Sequence, residues 1–209
     1  MLKRERFLVL IFCSFFCLAG CSALQKTKPK IHHFTLEYTV PKIEGLKLLQ
    51  AVLRVDRFGV APAYNSNRMI YQDKSFKRDE YVYSKWIANP GNIATYFLAR
   101  DLRDSGLFKA AFTYKSHLAA SYAVEGSVDE FFEWDTPEGW KAVLGVNITL
   151  VVLNEPDVSK RILFQKSYRV IKPCKDEHPR GLAETMSLAM REVSEKIIRD
   201  IYTVLKDQQ

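Results

Sequence analysis

Two stretches between residues 121 and 153 constrain the fold more than any other part of the chain. From Ser121 to Glu133, Tyr122, Val124, Val128 and Phe132 share one parity; from Ala142 to Leu153, Leu144, Val146, Ile148, Leu150 and Val152 do the same. Alternation with period two marks a strand that buries one face. The link Trp134-Asp135-Thr136-Pro137-Glu138-Gly139 reads as a hairpin loop. A third strand, Lys160 to Ile171, follows the turn Asn154-Glu155-Pro156-Asp157. Three strands on short connections predict an antiparallel meander.

The remaining elements fit around it. Strands are expected at His32–Tyr38, Lys47–Phe58 and Leu107–Tyr114, with a short pair at Met69–Tyr71 and Glu80–Tyr83 around a charged turn. Asn89-Pro90 starts a helix: Asn caps free amides, and Pro at the first position has no amide to waste. Ala94, Phe97, Leu98 and Leu102 give that helix one apolar face, and Gly106 stops it. A longer helix ends the chain, with Leu182, Met186, Ala189, Val193, Ile197, Ile201 and Val204 or Leu205 at steps of three or four. The expected class is α+β: a mainly antiparallel sheet with two helices packed on it.

The N-terminus carries a different signal. Lys3, Arg4 and Arg6 precede an apolar stretch from Phe7 to Leu18. About a dozen residues are too few to span a bilayer, which needs roughly 20, but they suit the core of a secretory signal. Leu18-Ala19-Gly20-Cys21 then resembles the lipobox of bacterial prolipoproteins. That resemblance implies cleavage after residue 20 and acylation of Cys21. Residues 1–20 are therefore expected to be a signal peptide, 21–31 a lipidated polar tether, and 32–209 a single domain.

Loss of Lys3, Arg4, Glu5 and Arg6 lowers the formal net charge from +7 to +5. The residual basic balance is scattered, and export removes nucleic acid as a partner. It is read as a solvated surface with a mild preference for anionic lipid. Cys13, Cys17 and Cys21 recur every four residues, but two leave with the signal and the third is acylated. Cys174 is then the only free thiol, expected to be buried at a strand end, with an intermolecular disulfide as the alternative.

A search for chemistry returns little. The sequence has no nucleophile elbow, phosphate-binding glycine loop, His-Glu-x-x-His or Cys-x-x-Cys motif. His32 and His33 occupy adjacent strand positions that point to opposite faces, so no metal and no cofactor are expected. Asp129, Glu130, Glu133 and Asp135 are read as the wet face and end of a hairpin. The chain is expected not to be an enzyme. Aromatic residues say more: Tyr81, Tyr83 and Trp86 precede the first helix, and Phe131, Phe132, Trp134 and Trp140 flank the hairpin loop. At least one of these is expected to be exposed. Tyr83, Trp134 and Trp140 are the candidate partner-binding residues.

The order of elements, with Phe58-Gly59-Val60-Ala61-Pro62-Ala63-Tyr64, Arg68-Met69-Ile70-Tyr71 and Tyr81-Val82-Tyr83-Ser84-Lys85-Trp86, resembles the ABC-type transport auxiliary lipoprotein family. That family includes the lipoprotein components of Mce and Pqi intermembrane lipid transport systems. The likeness covers roughly residues 32–206. Ala61-Pro62-Ala63 departs from the more usual Leu-Pro-x-Tyr, and Asn65-Ser66-Asn67 is shorter and polar.

The resemblance implies a fold similar to the N-terminal domain of the Tol-system periplasmic protein. It also implies a non-enzymatic role: docking a Mce-type substrate-binding protein at a membrane while lipid passes. Self-association is a further partner class the sequence admits. Ser22 after the acylated cysteine favours sorting to the periplasmic face of the outer membrane, since Asp there usually retains lipoproteins of enteric bacteria at the inner membrane. Two rival classes stand beside this reading: a structural or assembly lipoprotein of another envelope machine, and an envelope hydrolase, which the missing nucleophile–base arrangement disfavours.

Overall fold

The alternating stretches become one long two-stranded ladder, and the rest of the sheet is built on it. The computed structural model describes residues 29–73 and 75–208. In chain order the elements are β1 (His32–Phe34), β2 (Leu49–Val55), β3 (Gly59–Val60), a 3-10 turn (Pro62–Tyr64), β4 (Arg68–Gln72), β5 (Arg78–Trp86), α1 (Pro90–Asp104), β6 (Phe108–Thr113), β7 (Tyr122–Thr136), β8 (Gly139–Val152), α2 (Val158–Arg161), β9 (Ile162–Pro173) and α3 (Pro179–Lys206). They belong to the compact unit Ile31–Gln209.

β7 and β8 pair antiparallel from Tyr122↔Val152 to Thr136↔Gly139. The expected six-residue loop therefore shrinks to Pro137-Glu138. Gly139 closes it at φ +112°, a conformation that side-chain-bearing residues avoid. β9 adds to β8 in the same antiparallel sense.

The other edge of β7 meets three short strands at successive levels, all parallel to it. β2 pairs at Tyr122–Val124, β3 at Ser127–Val128 and β4 at Glu133–Trp134. β6 joins β2 and β1 joins β5, again in parallel, while β4 and β5 form an antiparallel hairpin. Five of the eight strand pairings are thus parallel and three antiparallel. The sheet is mixed, which corrects the expectation of a mainly antiparallel one. A hairpin partner announces itself through the turn beside it. A parallel partner lies a crossover away, and period two is the same whichever way the neighbour runs.

α1 and α3 pack against the sheet and against each other. Along α3 the whole stripe Leu182, Met186, Ala189, Val193, Ile197, Ile201 and Leu205 is buried, and along α1 so are Ala94, Phe97, Leu98 and Leu102. Asn89 caps α1 as its chemistry requires, its Oδ1 accepting from the Gly91 amide at 2.9 Å. The chain between β1 and β2 has little regular structure and is pinned to the helices instead. The Glu37 amide donates to Ser187 Oγ at 3.0 Å, the Tyr38 hydroxyl to Asp101 Oδ2 at 2.7 Å, and the Lys47 amide to the Tyr202 hydroxyl at 3.1 Å.

Candidate functional site

The sheet brings two turns to one end. β4 runs parallel to β7, with Gln72 beside Trp134, so the β4–β5 turn at residues 73–77 stands level with the β7–β8 turn at Pro137-Glu138. β1 runs parallel to β5, with His32 beside Ser84.

β5 starts at this end and bulges further along. Lys85 pairs with Arg68 and Glu80 with Ile70, so five steps on β5 match two on β4. Extra residues in one strand bend it and turn side chains outward. Val82 and Tyr83 lie in the bulge, 68% and 51% exposed, and Phe76 at the turn is 99% exposed. Tyr83 is thus accessible, as a partner-binding residue must be.

The two candidate tryptophans do not form one surface with each other. Trp134 sits beside Lys141 on one face of the hairpin, and Trp140 beside Asp135 on the other. Both are half-buried. Lys141 Nζ lies 5.8 Å over the Trp134 ring, and the Trp140 ring is 6.2 Å from that of Tyr81. Trp86 is fully buried, edge-on to Phe131 at 5.0 Å.

A second bulge changes what the sequence pattern means. Val128 pairs with Val146 but Glu130 with Gly145, so Asp129 is the extra residue and the parity of β7 flips there. Phe131 and Glu133 now face the core, while Phe132 moves to the opposite face from Val128. Phe132 is nevertheless buried, because Tyr64 stacks on it at 5.8 Å and the Arg78 guanidinium lies 5.5 Å over its ring. Both phenylalanines are therefore inside. Asp129 and Glu130 stay outside, where Asp129 accepts from Ser127 Oγ and Asn147, and Glu130 pairs with Arg169 at 2.5 Å.

Glu133, read from the sequence as part of a wet face, is 1% exposed. The Tyr81 hydroxyl lies 2.9 and 3.0 Å from its two oxygens and donates to the carboxylate. Burial pushes the Glu133 carboxyl up to about 7, and the Tyr81 hydrogen bond only partly opposes this. Tyr71 leans on Tyr81 at 5.2 Å. Nearby, the half-buried Cys174 follows β9 directly, its amide donating to the Trp140 carbonyl at 2.7 Å. Desolvation raises its thiol above the ordinary range, so it is not activated as a nucleophile. The one sequence clue to this network is a carboxylate inside the aromatic run Phe131-Phe132-Glu133-Trp134.

Asp101 is the other buried acid. It accepts from the Tyr38 hydroxyl and from Arg100, whose guanidinium stacks over Tyr38 and Phe97 at 4.4 and 4.6 Å. These contacts fasten α1 to the incoming chain. Away from the hairpin tips, an open cleft of about 410 Å³ lies among Arg57, Asn92, Tyr96, Tyr114 and Lys115. His32 and His33 are exposed on β1, and among the described residues no three His, Cys, Asp or Glu side chains gather as a metal set. Cys21 and Ser22 lie outside the described residues.

No family model matches the sequence, and no curated protein is similar to it. Solved structures do resemble the fold. A DUF330 protein from Xanthomonas campestris superposes with a TM-score of 0.76 at 14% identity, covering 85% of this chain and 98% of that one. An uncharacterised protein gives 0.65 at 12% identity over 82% of this chain and 99% of its own. A hypothetical protein from Chlamydia trachomatis gives 0.51 at 9% identity, over 74% and 96%. The class that the fold defines is this DUF330-like mixed sheet. It replaces the expected likeness to the N-terminal domain of the Tol-system periplasmic protein.

Proposed function

We propose that the chain is a lipid-anchored envelope protein that docks a partner and performs no chemistry itself. The observation that carries this reading is the lipobox Leu18-Ala19-Gly20-Cys21, placed a short polar tether ahead of one compact sheet domain. Two acyl chains on one residue hold firmly where one holds only marginally. The anchor fixes the domain at a membrane, and the domain then offers a surface to a partner.

In this proposal the chain is an auxiliary component of an ABC-type, Mce-like lipid transport system on the periplasmic face of the outer membrane. The partner is a Mce-type substrate-binding protein. Tyr83 and Val82, accessible in the β5 bulge, are its contact residues, and Trp134 and Trp140 support the hairpin beside them. The buried acids fit this role better than a catalytic one. Asp101 is fully engaged by Tyr38 and Arg100, and Glu133 is covered by Tyr81.

Crosslinking in intact cells tests the proposal, followed by density-gradient separation of membranes and identification of captured proteins by mass. The expected result is an outer-membrane band that carries a Mce-type protein, with capture weakened by Tyr83→Ala. Banding at the inner membrane refutes the location. Capture of secretion or peptidoglycan-synthesis proteins in place of a Mce protein assigns the chain to another envelope machine.

A further inference from the structure

We infer that the cleft between α1 and the carboxyl ends of β2 and β6 binds an organic phosphate, carried by a lipid headgroup or by a free phosphate ester. No residue lining it belongs to the β5 bulge or the hairpin tips. The inference therefore goes beyond partner docking and stands whether or not that reading holds.

Register assembles the cleft. β2 and β6 run parallel with Val55 beside Thr113, and Arg57 and Lys115 each follow two residues later. Both cations thus leave the sheet at the same level, outside the carboxyl ends of parallel strands, where open α/β sheets commonly hold ligands. Asn92 and Tyr96, one helical turn apart on α1, line the same cleft. The walls are fastened to each other. The Phe58 amide donates to Thr95 Oγ1 at 3.0 Å, Thr95 Oγ1 to the Gly91 carbonyl at 2.8 Å, and the Tyr114 amide to the Val55 carbonyl at 2.9 Å. A Cβ on Gly91 would lie 2.6 Å from the Phe58 carbonyl oxygen, so only glycine lets the helix come this close.

The charge in the cleft is unbalanced. No acid lines it, and neither Arg57 nor Lys115 makes an ion pair or side-chain hydrogen bond among the described residues. Asp56, the acid next to Arg57 in sequence, is held by Arg54 at 2.7 Å. Two cations in one cleft repel each other, and a bound anion relieves that repulsion. The donors then choose among anions. Arg57 offers a planar fork and Lys115 a point charge. The Asn92 amide and the hydroxyls of Thr113, Tyr96 and Tyr114 have no side-chain hydrogen bond among the described residues and add to them. A phosphate group presents four oxygens to such a set, a carboxylate only two. At about 410 Å³ the cleft takes a molecule of headgroup size, and the exposed rings of Tyr96 and Tyr114 give its carbon atoms an apolar wall.

The test uses the full chain as cells process it, held in dodecyl maltoside and titrated calorimetrically with glycerol 3-phosphate, glycerophosphoglycerol and glucuronate. The expected result is binding of a phosphate ester, weakened about tenfold or more by Arg57→Gln and by Lys115→Gln. Lys109→Gln, which removes an exposed charge near the start of β6 and outside the cleft, should leave binding unchanged. All three side chains are exposed, so the variants keep the fold. Tighter binding of glycerophosphoglycerol assigns the cleft to lipid headgroups, and tighter binding of glycerol 3-phosphate assigns it to free esters. Glucuronate bound as tightly as either ester overturns the choice of phosphate. No binding of either ester, or equal weakening by all three substitutions, overturns the site.

Discussion

Glu133 is the residue whose environment departs furthest from what its chemistry prefers. Its carboxyl ionises at about 7 in the folded chain, against 4.5 as a free side chain. Below about 4.5 both folded and unfolded chains hold the proton. Between 4.5 and 7 only the folded chain keeps it, so stability falls as pH rises through that window and levels off above 7. A shift of this size corresponds to about 3 kcal/mol at most. Glu133→Gln removes the charge and keeps an acceptor for Tyr81. It should match the native chain near pH 4.5 and exceed its stability by about 1–3 kcal/mol at pH 8. Thermal denaturation at both pH values checks this, and an offset that does not change with pH contradicts it.

The tryptophans separate by burial. Trp86→Ala empties a filled site in the core and should cost about 3–5 kcal/mol. Trp134→Ala and Trp140→Ala, at half-buried positions, should each cost about 1–3 kcal/mol and leave the fold intact. Urea denaturation of the three variants gives the ranking. Much of the core was legible residue by residue, because Leu144, Val146, Ile148 and Leu150 keep one parity throughout. Glu133 was not, because one extra residue at Asp129 reverses the parity that its classification relied on. A bulge without glycine leaves no mark on the local sequence.

At the scale of elements, the signals that read true are those with a stereochemical cause. Asn89-Pro90 starts α1 because the cap and the missing amide both satisfy the first turn. Asn89→Ala should therefore cost about 1 kcal/mol, measured by chemical denaturation. The same substitution removes the Asn89 side-chain bond to Asn65, so an unchanged midpoint would contradict the contribution of the cap. The apolar stripe of α3 was equally plain, since seven buried positions at helical spacing admit few other shapes. Strand ends were less plain. The residues Trp134 to Gly139 look like a loop by composition, yet cross-strand pairing carries the ladder on to Thr136 and Gly139. Phe76 gave no signal that set it apart from other charged-turn residues, because exposure at a turn tip is a product of the tertiary fold.

For the molecule as a whole, the sequence describes the meander well and its surroundings poorly. β7, β8 and β9 are neighbours in sequence and in space. β2, β3 and β4 reach β7 from more than fifty residues away, and nothing in their composition says that they run parallel to it. That arrangement places the β4–β5 and β7–β8 turns at one end of the sheet. Membrane attachment rests on acylation of Cys21. Cells expressing the native chain or Cys21→Ser are grown with labelled palmitate, and the protein is then captured and sized. Label is expected on the native chain, with no label and an unprocessed precursor for Cys21→Ser. Normal maturation of Cys21→Ser with the fatty-acid label still present would contradict it.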